Sequence, residues 1–226
     1  MTETPPEHLS EPLSLDPSCW SPQDIYYLNA ALIVPRPIAW VSTLSSDGVS
    51  NISPHSYFNG ISDDPPYVMF SIEGETDTYA NLRDIPECTI SFVTEDLASA
   101  MELSAVKFPS DEDEFEWADL EKLESECVRP ARPKSAKACL ECLVDRIIDV
   151  GNVNHMVILK VVHYHVSPEI WDKGRINMET YRPIGRLGGQ YTKMGSRFKQ
   201  RRPTWIEIRN ANSTGVKQSV EVTSCD

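Results

Sequence analysis

The chain has 226 residues, 40% of them hydrophobic, which suits a single domain with a polar tail and suffices for a buried core. Acids outnumber bases 34 to 21, a formal charge of -13, so the surface lacks the basic patch that a nucleic-acid backbone requires. Met1 to Pro22 is rich in Pro, Glu and Ser and holds no apolar run suited to a signal peptide or membrane span, which points to the cytoplasm, and six scattered cysteines do not form a disulfide framework.

In chain order, residues 1–20 read as a disordered leader, 21–204 as one domain and 205–226 as a C-terminal extension or tail. A helix is predicted within Trp20 to Leu32, with Ser21 as N-cap and Pro22 at its first position. Ile38 to Leu44 and Val49 to Ser53 form a hairpin around Ser45-Ser46-Asp47-Gly48. A polar loop follows, carrying Asn51, Ser53, His55, Ser56, Tyr57, Phe58 and Asn59 around Pro54, and Pro65-Pro66 ends it before a strand at Tyr67 to Ile72.

Asp77 to Asp84 is predicted helical and stops before Pro86; Cys88 to Thr94 is a strand, and Glu95 to Ala105 a helix capped by Thr94. Asp111 to Glu126 is an acidic, solvated excursion with Phe115, Trp117 and Leu120 as its apolar positions. Ala138 to Val150 and His155 to Val166 are long β-rich runs joined by a Gly151-Asn152-Val153-Asn154 turn. Arg182 to Gly195 is glycine-rich and irregular, a basic patch follows, Trp205-Ile-Glu-Ile suits a strand or a partner contact, and the chain frays from Asn210. Strands dominate without strand–helix alternation, which predicts a mainly β, antiparallel Greek-key barrel with a few helices.

Asn51, Ser53, Ser56 and Asn59 either cap turns or cradle a ligand whose donors and acceptors alternate. Thr78 and Asn81 share a helix face in the first turn of Asp77 to Asp84, where free backbone N–H groups favour an anion. His163 and His165 alternate on a strand without a third ligand, so no metal is expected. The lone Cys139-Leu-Glu-Cys142 sits in a strand, away from the helix N-terminus that thiol chemistry prefers. Neither a nucleophile elbow nor a Walker loop is present, which removes the common hydrolase and NTPase classes.

Taken together, RPIAWVST from Arg36, the following Asp-Gly, N-x-S-P-x-S-x-F-N from Asn51, Asp-Pro-Pro before Tyr67, Asp77-Thr78-x-x-Asn81 and Arg182-Pro-Ile-Gly-Arg-Leu-Gly-Gly-Gln-Tyr191 resemble the flavin reductase-like family of FMN-binding split β-barrels. The resemblance runs from about Ser21 to Phe198. It implies a homodimer that binds FMN, or FAD in some members, and uses NADH or NADPH as co-substrate to pass hydride to flavin and on to an acceptor. It implies flavin contacts from Ser42, Thr43, Asn51, Ser53, Ser56 and Asn59. The phosphate falls to Thr78 and Asn81, with Arg36, Arg83 or Arg186 replacing a base that family members carry just before the threonine, where this chain has Glu75-Thr76-Asp77. His155 occupies the position of a histidine that orients the nicotinamide. Alternatives are a flavin-dependent oxygenase or oxidase of a small organic substrate, and a non-catalytic FMN-binding dimer.

Overall fold

The computed structural model describes residues 12–214 and 222–225. Helix α1, Pro22–Leu32, begins as its sequence dictates: the Ser21 hydroxyl accepts the Asp24 amide at 3.2 Å, and Pro22 takes a first-turn position where its missing N–H costs nothing. Seven strands then build one sheet: β1 Ala39–Leu44, β2 Ser50–His55, β3 Phe58–Asp63, β4 Pro66–Glu73, β5 Glu87–Phe92, β6 Ala138–Val150 and β7 Asn154–Val166. Their order is β2-β1-β5-β6-β7-β4-β3, every pairing antiparallel. The outermost strands, β2 and β3, are joined by Ser56 and Tyr57 alone, and the Ser71 amide donates to the Tyr57 carbonyl at 2.9 Å. The sheet therefore curls until its ends meet, forming the expected antiparallel split barrel.

Alternation along β1 explains both cores. Ala39 and Val41 point inward with Phe70, Ile72, Ile90 and Leu159, whereas Trp40 points outward with Ile52, Met101 and Phe115. Helix α2, Asp77–Asp84, plugs the barrel with Tyr79 and Leu82. Helices α3, Ala98–Leu103, and α4, Glu114–Trp117, cover the outer face, where the Trp40 indole N–H donates to Ser104 Oγ at 2.9 Å. Cys88 and Cys142 face each other across β5 and β6 inside the barrel; Cys139 is also buried, while Cys19 and Cys127 are exposed.

A register shift in β7 between Val161 and His163 brings His165 to the face of β6 that carries Glu141. The fully buried Glu141 carboxylate meets His165 Nε2 at 2.5 Å and accepts the amides of Glu126, Cys127 and Val128 at 2.8, 2.6 and 3.2 Å. One side chain thus clips the 126–128 strap to the sheet. Burial pushes this carboxyl up, but the amides and His165 outweigh it and hold the group below the ordinary glutamate value.

Five sequence expectations change. The stretch from Arg182 to Gly195 is not wholly irregular, because Gly185–Leu187 pairs with Gln190–Thr192. Thr94 makes no side-chain cap, and a 3-10 turn at Glu95–Leu97 precedes α3. The polar stretch after Pro54 is not a loop: Phe58–Asp63 is an edge strand paired only with β4, and beyond Phe58 its residues are exposed. The acidic excursion is not wholly solvated, because Glu114 and Phe115 are buried on α4. Trp205-Ile-Glu-Ile opens a helix, α5 Trp205–Thr214, rather than a strand: Thr204 and Glu207 exchange hydrogen bonds with each other's backbone amides, a capping box. The chain divides after Thr192, and the second unit, from Lys193, holds α5 and a ribbon pairing Arg197–Gln200 with Val222–Cys225. The expected leader lies largely outside the described residues, as does part of the expected C-terminal fraying. Among the described residues no helix is long and apolar enough to cross a membrane.

Candidate functional site

The β1–β2 register sets Thr43 opposite Asn51, and the face of α2 turned to these strands carries Thr78 and Asn81. The four side chains, expected from the sequence as ligand contacts, are joined. Asn81 Nδ2 donates to Thr43 Oγ1 at 3.0 Å, and Thr43 Oγ1 donates to Asn51 Oδ1 at 3.3 Å. Thr78 Oγ1 donates to the same Asn51 oxygen at 3.0 Å. All four are buried. Helix α2 is capped by Thr76, whose hydroxyl accepts the Tyr79 amide at 3.3 Å.

Glu114 extends the network from α4. Its Oε1 accepts Asn51 Nδ2 at 2.7 Å and its Oε2 accepts the Ile52 amide at 3.3 Å. Burial raises this carboxyl above the usual glutamate value, against the hydrogen bonds, and nearby Asp77 adds to the rise.

Arg36, 4% exposed, ties three segments together. Its Nη1 donates to the carbonyls of Ala30 and Ile33 at 2.6 and 3.1 Å, Nε to Ser56 Oγ at 3.3 Å and Nη2 to the Gly188 carbonyl at 3.4 Å. The guanidinium caps the C-terminal end of α1, where the helix dipole is negative. Arg186 stands opposite Arg36 in a short pairing of Arg36–Pro37 with Gly185–Leu187. It approaches Glu102 at 3.5 Å and lies over the Tyr191 ring at 4.5 Å, and the Tyr191 hydroxyl hydrogen-bonds to the same Glu102. This pairing needs Gly185, since a Cβ there would sit 3.2 Å from Pro35 Cβ and 3.3 Å from the Arg36 carbonyl.

The remaining expected residues are placed separately. His155 stacks on Tyr79 of α2, ring centroids 4.0 Å apart, and its Nδ1 meets Asp149 Oδ1 at 2.8 Å. Ser53 is half-buried opposite Val41. Asn59 lies exposed on the edge strand, where its side chain accepts the Gly60 amide at 2.9 Å. Ser42 is fully buried and its hydroxyl has no partner.

Residues 31–180 match the flavin reductase like domain. This chain belongs to that family. Among relatives of this flavin reductase-like protein, an uncharacterized protein of Aquifex aeolicus is 38% identical, covering 74% of this chain and 88% of its own length. The structure of nitrilotriacetate monooxygenase component B from Bacillus cereus is 32% identical with a TM-score of 0.82, covering 84% of this chain and 99% of that one. The 2-nitrobenzoate 2-nitroreductase NbaA of Pseudomonas fluorescens is 28% identical with a TM-score of 0.80, covering 85% and 98%.

The chemistry of the family's ligand can be set against the atoms this flavin reductase-like chain leaves unused. Besides Ser42 Oγ, the buried side-chain atoms without a partner among the described residues are His55 Nε2, Ser91 Oγ, Thr94 Oγ1 and Arg132 Nε; His55 shares the hairpin face of Thr43 and Asn51, whereas Ser42 lies on the opposite face. Burial lowers His55 to a pKa of about 4, against a hydrogen bond with the Ser71 backbone, so the ring is neutral at physiological pH. A buried neutral ring nitrogen left unused on the face of Thr43 and Asn51 suits a ligand that hydrogen-bonds through a neutral ring or hydroxyls. The donor set fits flavin mononucleotide.

Sequence reasoning missed Glu114, which looks like one acid in an acidic run. Two signals single it out: Asp113 is a good N-cap, its side chain accepting the Phe115 amide at 2.9 Å, and Phe115 is a large apolar residue set among acids.

Proposed function

We propose that this protein binds FMN and acts as an NAD(P)H-dependent flavin reductase, working as a homodimer. The observation that carries this reading is the family-domain match over residues 31–180 together with His55 Nε2, a buried polar atom without a partner on the hairpin face that carries Thr43 and Asn51. A buried polar atom without a partner costs roughly 1–3 kcal/mol, and a ligand that satisfies it recovers that cost. Bound FMN supplies the hydride-accepting ring, so the protein needs no nucleophile of its own.

The chain's own residues then have distinct roles. Ser42, Ser53 and Ser56 offer hydroxyls to the ring edge or ribityl chain, with Asn59 at the rim. Thr43, Asn51, Thr78 and Asn81 hold α2 against the hairpin so that its first-turn amides can meet a phosphate. Arg36 and Arg186, at facing positions, supply positive charge for that phosphate or for the pyridine nucleotide. His155, held flat by Tyr79 and turned by Asp149, orients the nicotinamide. A second reading, reduction of a small organic substrate at the same site, is favoured by the likeness to a nitroreductase.

The test is an absorbance spectrum of protein purified with added FMN, taken before and after anaerobic NADH or NADPH. Retained flavin bands that bleach with nicotinamide are expected. Bleached bands that return on anaerobic addition of a nitroaromatic favour the second reading, and protein that retains no flavin overturns both.

A further inference from the structure

We propose that Glu114 is a positioning residue that fixes the hydrogen-bond direction of the cradle, forcing the Asn51 carbonyl oxygen toward Thr43 and Thr78 and so locking α2 in the arrangement that receives flavin. The inference rests on the flavin-binding reading above.

A carboxylate only accepts. Glu114 takes two N–H groups, one from the Asn51 amide at 2.7 Å and one from the Ile52 backbone at 3.3 Å. Asn51 must therefore turn its Nδ2 toward α4, because its carbonyl there would face a buried negative oxygen. Its Oδ1 is left for the hydroxyls of Thr43 and Thr78. Thr43, having spent its proton on Asn51, can only accept from Asn81, which it does at 3.0 Å. Donation thus runs one way, from Asn81 through Thr43 and Asn51 to Glu114, across α2, β1, β2 and α4. Every member is buried, Glu114 at 4% exposure.

Packing alone gives no reason for an acid here. Glu114 makes no ion pair among the described residues, and Asp77, at the start of α2, opposes its charge. On its own helix stand Asp113, paired with Lys122, and Glu116. A buried carboxylate with an acid nearby and no cation paired to it is costly, and what it supplies in return is a direction that a neutral side chain cannot impose. Glutamine at this position would turn its own NH₂ toward either Asn51 Nδ2 or the Ile52 amide, donor against donor. Protonation of Glu114 creates the same conflict.

The experiment compares wild type with Glu114→Gln by quenching of FMN fluorescence at about pH 7.5 and about pH 5.5, with thermal unfolding of the flavin-free proteins alongside. Expected is an affinity loss of about tenfold at the higher pH with a small shift in melting temperature, and a gap that narrows as acid protonates Glu114 in the wild type. The FMN phosphate titrates equally for both proteins and cancels in the comparison. Equal affinities at the higher pH overturn the proposal while leaving flavin binding intact. Failure of the wild type to bind FMN sinks the flavin reading and this inference with it. If the variant does not fold, wild-type binding of riboflavin, which has no phosphate to titrate, decides: weakening as pH falls toward the ordinary glutamate value of 4.5, which Glu114 exceeds, supports the proposal, and a profile flat down to that pH overturns it.

Discussion

His155 lies flat against Tyr79, with ring centroids 4.0 Å apart and planes inclined by 20°, so the first residues of β7 are fastened to the helix that plugs the barrel. Arg83 sits 5.7 Å from the same tyrosine ring. The imidazole is therefore constrained by α2, and its Nδ1 is committed to Asp149. If His155 orients nicotinamide, His155→Ala lowers the rate of flavin bleaching by NAD(P)H by about tenfold or more while FMN affinity changes by less than about threefold. Stopped-flow reduction set against an FMN titration separates the two effects. Equal losses in both measurements assign the histidine to holding α2.

The double substitution Asn51→Ala and Ser56→Ala removes the hub of the buried network together with the acceptor of Arg36 Nε. FMN affinity should fall by more than about tenfold, since buried partners on both sides are left unsatisfied. Equilibrium dialysis with FMN checks this, and unchanged affinity removes the cradle from the flavin site.

His55 makes stability depend on pH. Its folded pKa of about 4 lies below the ordinary histidine value of 6.5, so the folded state binds fewer protons across that window. The contribution is complete above about pH 6.5 and is lost as pH falls toward about 4. About 2 kcal/mol should disappear between about pH 7 and pH 5. Urea unfolding at the two pH values measures it, and His55→Gln should flatten the slope.

Glu141 is the acceptor for three backbone amides of the 126–128 strap. Glu141→Ala strands those donors and should cost about 3 kcal/mol or more in denaturant unfolding. Because its folded pKa is lowered, the wild-type contribution is present above the ordinary glutamate pKa and fades as pH falls through the folded value.

Local chemistry made much of this fold readable. Ser21-Pro22 marks the start of α1, Asp77 to Asp84 is helical over the expected range, and the long hairpin of β6 and β7 declares itself by its β-rich runs and turn. Phe58–Asp63 hid because an edge strand exposed on both faces shows no alternation of apolar and polar residues. The capping box of Thr204 and Glu207 was present in the sequence, but the apolar Trp205-Ile-Glu-Ile reads as β by residue type. At the site, Thr43, Asn51, Thr78 and Asn81 were legible as a polar set. That they bond chiefly to one another, through an acid 63 residues beyond Asn51, depends on tertiary packing that no local pattern encodes.

The distribution of thiols gives this barrel an internal clock. Cys19 and Cys127 are exposed and should react at once with a thiol reagent in excess. Cys88 and Cys142 are shut inside the barrel, and contact with Cys88 together with burial pushes the Cys142 thiol up, so they can be labelled only when the sheet opens. The slow phase of labelling in native buffer therefore times how often the strands part. Added FMN should lengthen it by the factor that binding stabilises the closed form, reporting occupancy of the site without reference to any reaction.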